Sequence, residues 1–417
     1  MDILEDLKSR GLIYQISDEA GLKKALRKKI RLYCGFDPTA GSLHIGNLLP
    51  LITLKRFQLA GHQPIVVLGG ATGLIGDPSG KTEERKLNSL LTVKRWGKNI
   101  KKQVERILDF QRKGNAALLV NNYTWIGKGK TISFLRDIGK YFTVPYMLAK
   151  ESIKTRLEKG ISFTEFSYMV LQAYDFLNLY RKYDCQLEIG GSDQWGNITA
   201  GIDLIRKKVG KDAFGFTVPI VTRADGKKFG KTEKGTIWLE AKKTSPYQFY
   251  QFWINTSDKD VIKYLKYFTF LSMKKIESLE KQMKKSPEKR LAQRVLAKEI
   301  TTLVHGREAA AKAEEISRKL FSQRIDKLSL KEFKMAFQDI PSVSLKRKSI
   351  SLVDLLLRAG VASSKRQARE DLRNGTISLN GRTEREEDKL VKKTDCLYGK
   401  YLLIKRGKKN YYLVLWK

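Results

Sequence analysis

Strand-like runs alternating with helical stretches limit this chain more than any other feature. Residues 31–36 (Arg-Leu-Tyr-Cys-Gly-Phe) read as a strand, residues 46–60 as a helix with apolar positions Leu48, Leu49, Ile52 and Leu59, and Pro64 to Leu68 as a second strand. A helix with Ile100, Val104, Ile107 and Leu108 on its apolar face follows, then a strand-like 117–120, a helical 163–180, and strands at Cys185 to Ile189 and Phe216 to Thr222. Parallel strands need crossover connections, and helices supply them, so this order predicts an α/β fold with a doubly wound, mostly parallel sheet. In such sheets the loops at the carboxyl ends of strands carry the ligand site.

The length of 417 residues exceeds what one core of roughly 250–300 residues supports, so two or three domains are expected. The boundaries read as an α/β domain over 1–240 that includes the Lys-Phe-Gly-Lys-Thr loop, a helical domain over 241–325, a linker over 326–345 and a small α/β module over 346–417. In that module Ser363 or Ser364 caps a helix running to about Arg373, Gly375 stops it, and Thr376 to Leu379 enters a hairpin turn at Asn380-Gly381. With 41% hydrophobic and 10% aromatic residues the chain can fill such cores, which excludes global disorder.

Lys and Arg number 81 against 44 Asp and Glu, a formal net charge of +37, and residues 342–417 hold 19 basic against 8 acidic side chains. The excess suits either a polyanionic partner such as nucleic acid or a solvated surface. Cys34, Cys185 and Cys396 lie far apart, which suggests neither a disulfide framework nor a zinc cluster. The first ten residues lack a basic start with an apolar run, and no apolar run approaches the roughly 20 residues of a membrane span, so a cytoplasmic protein without membrane attachment is expected.

Four segments carry chemistry. Gly35 to Asn47 joins the first strand to its helix and contains His44, Gly46 and Asn47; a helix start offers N–H groups to phosphate, and His44 either donates there or caps the helix. Gly69 to Thr82 ends in Gly-Lys-Thr, yet Ile75 stands where a P-loop requires its first glycine and Pro78 removes one N–H, so the spacing fails. Asp77 is instead available to an ammonium group, and Lys81 and Arg85 to phosphate. Tyr168, Gln172 and Asp175 share one helix face, either lining a polar-ligand pocket or bonding internally; Gly190 to Asn197 makes a glycine-rich turn with Asp193, suited to ribose hydroxyls or an ordinary turn. Lys227 to Thr232 is a lysine loop that either closes over a triphosphate or stays solvated.

In this order the segments resemble the class I aminoacyl-tRNA synthetases. The His44 segment is similar to their HIGH signature, with Asn47 at the last histidine, and Lys-Phe-Gly-Lys-Thr is similar to KMSKS. Gly69 to Lys81 and Gly190 to Asn197 are close to the bacterial-type tyrosyl-tRNA synthetases, a likeness running from about residue 1 through the last module. The resemblance implies that Tyr33 and Asp175 meet a substrate phenol, that Asp77, Tyr168 and Gln172 hold its ammonium, and that Gln194 positions its carboxyl end. It implies phosphate-directed donors at His44, Asn47, Lys81, Arg85, Lys228, Lys231 and Thr232, the last lysine also binding ATP. Cys34, Gly35, Asp37, Thr39, Gly46, Gly191 and Asp193 would hold the nucleotide.

The same likeness implies ATP as substrate with Mg2+ on its triphosphate and no dedicated metal site. It further implies L-tyrosine and tRNA(Tyr) as partners, a homodimer, and a helical domain turned toward the anticodon. The last module resembles a ribosomal-protein-type RNA-binding fold, with Lys365, Arg366, Arg369 and Arg373 directed at phosphates. Two other functions compete, a small-molecule nucleotidyltransferase and a non-catalytic RNA-binding descendant of a synthetase. The first leaves the basic module unexplained, and the second calls for defects in the phosphate motifs beyond Asn47.

Overall fold

The computed structural model describes residues 2–79, 87–157, 160–224, 229–232, 235–322, 324–337, 340–407 and 410–417. They form two compact units, residues 1–244 with 252–305 and residues 245–251 with 306–417.

The first unit is built on strands β1 (Gln15–Ile16), β2 (Arg31–Phe36), β3 (Gln63–Leu68), β4 (Leu118–Asn121), β5 (Cys185–Gly191) and β6 (Phe214–Val218), in the order β1-β6-β5-β2-β3-β4. β2 to β6 run parallel, and β1 is an antiparallel edge on β6 that the sequence reading missed. β3 is buried along almost its whole length, as expected of a parallel strand covered on both faces. The chain winds outward from β2 through β3 to β4 and then returns to β5 on the other side of β2. Strand order therefore reverses between β2 and β5, and a crevice opens there at their carboxyl ends.

Local chemistry sets several boundaries. β6 ends at Val218 because Pro219 has no N–H to continue the ladder, which shortens the strand expected to reach Thr222. The helix expected over 163–180 is two, Phe163–Phe166 and Tyr168–Tyr183, broken at Ser167. The lysine-rich stretch after 246 forms helices Pro246–Ile254, Asp258–Phe268, Met273–Lys285, Leu291–His305 and Arg307–Phe321. Gly306, at φ +88°, separates the last two, and the units divide there as well as after Thr244 and Gln251. A hairpin of β7 (Lys231–Thr232) and β8 (Gly235–Thr236) follows the lysine loop.

The second unit carries β9 (Ser342–Leu345), β10 (Ser349–Ser351), β11 (Ile377–Leu379), β12 (Arg382–Thr383), β13 (Leu390–Lys392), β14 (Tyr401–Arg406) and β15 (Asn410–Trp416). Five make a sheet in the order β12-β11-β14-β15-β9, and β10 pairs with β13. Alternation along β14 sends Leu402 and Ile404 into a cluster with Leu352, Leu355 and Leu372, and Leu403 into another with Phe333, Phe337 and Leu413. The stretch 326–345, read as a linker, holds the helix Leu330–Phe337 and β9, and Phe333 is fully buried. Its helix spans only two turns, too few for periodicity to stand out among the charges. Ser364 accepts from the Gln367 N–H as the helix cap, and Asn380 and Gly381 both take positive φ, as a tight hairpin turn requires. No described helix is long and apolar enough to cross a membrane.

Candidate active site

Tyr33, Gly35 and Asp37 alternate along and just past β2, so all three face the same side of the sheet. Tyr33 is 2% exposed, with its ring 5.2 Å from that of Phe176. Gly35 is exposed, and a Cβ built on it would meet nothing within 4 Å, which marks open space above the strand end. The helix Tyr168–Tyr183 borders that space. From it the Tyr168 hydroxyl donates to Asp37 Oδ2 at 2.6 Å, and Gln172 Nε2 donates to Glu188 Oε1 on β5 at 2.9 Å.

Asp175, one turn further, is buried. Its carboxylate accepts from Trp125 Nε1 at 2.7 Å and from Asn122 Nδ2 at 2.9 Å. Asn122 also donates to Thr72 Oγ1 at 2.9 Å, and Thr72 in turn donates to Asp37 Oδ1 at 2.6 Å. Across the crevice Gln194 Nε2 donates to Asp77 Oδ2 at 2.6 Å, and Asn197 bridges Gln172 and Gln194 through its amide. Gly69 admits this packing, because a Cβ there would stand 1.8 Å from Asp37 Oδ1.

Burial dominates the electrostatics. It pushes the Asp175 carboxyl up to about 8 against the pull of its Asn122 and Trp125 donors, and Glu188 up to about 7. Tyr33 is held well above its ordinary value by burial and then by the Glu188 and Asp175 carboxyls; Tyr168 is raised by burial and by Asp37. Burial and the Glu188 and Asp193 charges likewise keep the Cys34 thiol protonated.

At the mouth, His44 caps the helix Ile45–Leu59. Its Nδ1 accepts from the Gly46 N–H at 3.0 Å, and Asn47 Oδ1 accepts from the His44 N–H at 3.1 Å. Each of the two side chains thus spends an acceptor on the helix start. With Nδ1 accepting, the neutral ring carries its proton on Nε2. The lysine loop arrives beside this cap: His44 bridges Trp238, Ile45 N donates to Ile237 O at 3.1 Å, and Ile237 N donates to Gly230 O at 2.9 Å. Phe229 anchors the loop among Phe252, Trp253, Tyr264 and Phe268, its ring 5.1 Å from Tyr264.

Thr39 is exposed just past β2, and Gly191 and Asp193 stand at the end of β5, with Asp193 exposed. Lys81, Arg85 and Lys228 lie outside the described residues, as do the side chains of Lys231 and Thr232. Among the described residues no cluster of His, Cys, Asp and Glu is arranged to hold a metal ion.

Residues 24–322 match the family model for class I tRNA synthetases (W and Y), and residues 332–414 match the tyrosine–tRNA ligase SYY-like C-terminal domain. Over 416 residues, 99% of both chains, the sequence is 58% identical to a tyrosine–tRNA ligase of Bacillus caldotenax. The chain belongs to the tyrosine–tRNA ligase family. Identity to tyrosine–tRNA ligase 1 of Bacillus subtilis is 57% over the full length of both chains. The C-terminally truncated mitochondrial tyrosyl-tRNA synthetase of Aspergillus nidulans superposes with a TM-score of 0.70 at 31% identity, covering 77% of this chain and 94% of that one. The fold is accordingly that of a class I synthetase.

In this ligase fold the last module displays its basic helix, Lys365–Arg373, at the surface. Lys365 pairs with Asp354 at 2.9 Å, and Arg369 and Arg373 both face Glu387. Arg366 is exposed with no ion pair among the described residues. Sequence reasoning missed Thr72, Asn122, Trp125, Glu188 and Asn197. Glu188 carried a usable signal, a carboxylate inside an otherwise apolar parallel strand. Asn122 and Trp125 lie in an irregular segment after β4, where no period marks them.

Proposed function

We propose that the crevice joins L-tyrosine to ATP as tyrosyl-adenylate and then passes the tyrosyl group to the 3′ end of tRNA(Tyr). Membership of the family makes the chain an aminoacyl-tRNA ligase that uses ATP; the assignments of individual side chains are our reading. The observation that carries it is the burial of Tyr33 and Asp175, near enough for that carboxyl to raise the Tyr33 hydroxyl, beside the open space above Gly35. A phenol there donates to Asp175 and accepts from Tyr33. Phenylalanine forms neither bond, at about 1–3 kcal/mol for each one lost in the buried site.

Asp77, Tyr168 and Gln172 take the ammonium, and Gln194, held on Asp77, orients the carboxylate. That carboxylate is already ionised at neutral pH, so no general base is required. One of its oxygens attacks the α-phosphorus and forms the acyl–phosphate bond, while the bond to pyrophosphate breaks and the leaving group keeps the electron pair. His44 through Nε2–H, Asn47 through its amide, and Lys81, Arg85, Lys228, Lys231 and Thr232 stabilise the charge that grows on the phosphate oxygens. Mg2+ arrives on the triphosphate as part of the substrate. Cys34, Gly35, Asp37, Thr39, Gly46, Gly191 and Asp193 hold the nucleotide, and Asp37 links it to the amino-acid side through Tyr168. A terminal ribose hydroxyl of tRNA then attacks the acyl carbon and AMP leaves.

Residues 1–240 do this chemistry in our reading, the helices of 241–325 turn toward the anticodon, and the module at 346–417 holds RNA phosphates. Ile132, Leu135, Val144, Leu148, Leu157 and Phe163 are exposed apolar side chains within one stretch of the first unit, and we assign them to contact with a second copy in a cytoplasmic homodimer. A monomer in sedimentation at micromolar concentration would remove that assignment. The function is tested by amino-acid-dependent ATP–pyrophosphate exchange with each standard amino acid and Mg2+, without tRNA. Exchange with tyrosine alone is expected. Exchange with tryptophan would overturn the phenol pocket, and no exchange from a folded, ATP-binding sample would favour the RNA-binding alternative.

A further inference from the structure

Glu188 occupies the middle of β5, where both neighbouring strands are parallel and a buried position is ordinarily apolar, and it is 2% exposed. It is the pairing partner of Tyr33 across β2 and β5, so the two side chains rise next to each other from one face of the sheet. Gln172 satisfies Oε1, and the Tyr33 hydroxyl, buried beside it, acts on the Glu188 carboxyl by charge and by a hydrogen bond. A buried acid and its phenol partner therefore border the end of the crevice where Asp175 stands.

We propose that Glu188 is a specificity residue that lets the pocket take only a neutral phenol, excluding tyrosines whose ring substituents acidify the hydroxyl so that it arrives ionised. The inference rests on reading the crevice as the tyrosine site. A neutral phenol brings no charge. A phenolate brings a negative charge into a space screened from water, and like charges there repel strongly. Asp175 alone tolerates a phenolate by keeping its own proton, since burial holds that carboxyl at about 8. A second carboxyl, held at about 7, leaves a negative charge in place above neutrality, and the phenolate must meet it.

The groups around Glu188 do not cancel that charge. Tyr33 and Cys34 face it from β2, Asp175 and Gln172 from the helix above and Cys185 from its own strand. Gly215 on β6 and Gly201 on the helix Trp195–Val209 approach it without any side chain. Arg31 is directed to Gln63 and the Tyr183 carbonyl.

Ring-fluorinated tyrosines test this, because fluorine acidifies the phenol with little added bulk. ATP–pyrophosphate exchange is measured with tyrosine and with fluorotyrosines of increasing acidity, at about pH 6 and about pH 7.5, where Glu188 has ionised and Asp175 keeps its proton. The native protein is compared with Glu188→Gln, which keeps an acceptor for Gln172. The readout is kcat/KM for each analogue relative to tyrosine within one protein, so any general loss in the variant cancels. In the native protein the ratio should fall with phenol acidity and with rising pH, and in Glu188→Gln the ratio at high pH should recover by about tenfold. Equal ratios in the two proteins overturn the proposal. So does a native ratio indifferent to phenol acidity, a result that does not depend on how the variant folds. No exchange with tyrosine itself in the native protein would remove the underlying reading and the proposal with it.

Discussion

Asn122 is fully buried, and every polar atom of its side chain is used: Oδ1 accepts from the Ala71 N–H, and the amide nitrogen reaches both Thr72 and Asp175. It fixes Asp175, which we assign to the phenol, and, through Thr72 and Asp37, Tyr168, which we assign to the ammonium. Holding Asp175 there is costly, and the cost depends on pH. Its folded value of about 8 lies above the roughly 3.9 of an unfolded aspartate, so across that interval the folded protein binds more protons than the unfolded one. Stability then falls as pH rises from about 4 toward about 8. Asp175→Asn should flatten this fall by up to roughly 5 kcal/mol while severely impairing tyrosine activation. Denaturant titrations at several pH values read the slope, and an unchanged slope would show that Asp175 is ionised in the folded protein. Tyr168, Gln172 and Asp175 were legible in the sequence because i, i+4 and i+7 spacing puts them on one helix face. Asn122 was not, since its role comes from contacts across the fold.

The lysine loop shows how elements place a site that no single motif specifies. Gly230 has φ +80°, and a Cβ there would lie 2.8 Å from Ile45 Cγ1, so loop and His44 helix meet where only glycine fits. Gly230→Ala should strain the backbone by about 1 kcal/mol and push the loop off the helix start. Adenylate formation should slow by about tenfold with little change in the tyrosine KM, because we assign the loop's donors to phosphate and not to the amino acid. Single-turnover kinetics would check it, and a native rate in a folded variant would show that loop position does not limit the step. The alternation of β2, helix and β3 was readable because each run matched one period. The break at Ser167 was not, since apolar positions continue on both sides of it. The edge strand β1, only two residues long, is too short to carry any period.

Across the whole molecule the net charge of +37 promises attraction to RNA but does not say which side chains supply it. The basic helix narrows the choice. A phosphate approaching Lys365 must displace Asp354, and one approaching Arg373 must compete with Glu387, whereas Arg366 carries no such partner among the described residues. Each cation that truly neutralises a phosphate contributes about one counterion to the salt dependence of binding. Arg366→Ala should therefore lower the slope of log affinity for tRNA against log salt by about one and weaken binding at low salt. Lys365→Ala should change both less, because the lysine it removes was already partly neutralised. Removing the partner instead, as in Asp354→Ala, should free Lys365 and steepen the slope. Filter-binding titrations over a range of salt distinguish these variants, while pyrophosphate exchange without tRNA should be unaffected in all three. Equal slopes for the native protein and Arg366→Ala would mean that this helix face is solvated surface and that the basic excess engages tRNA elsewhere.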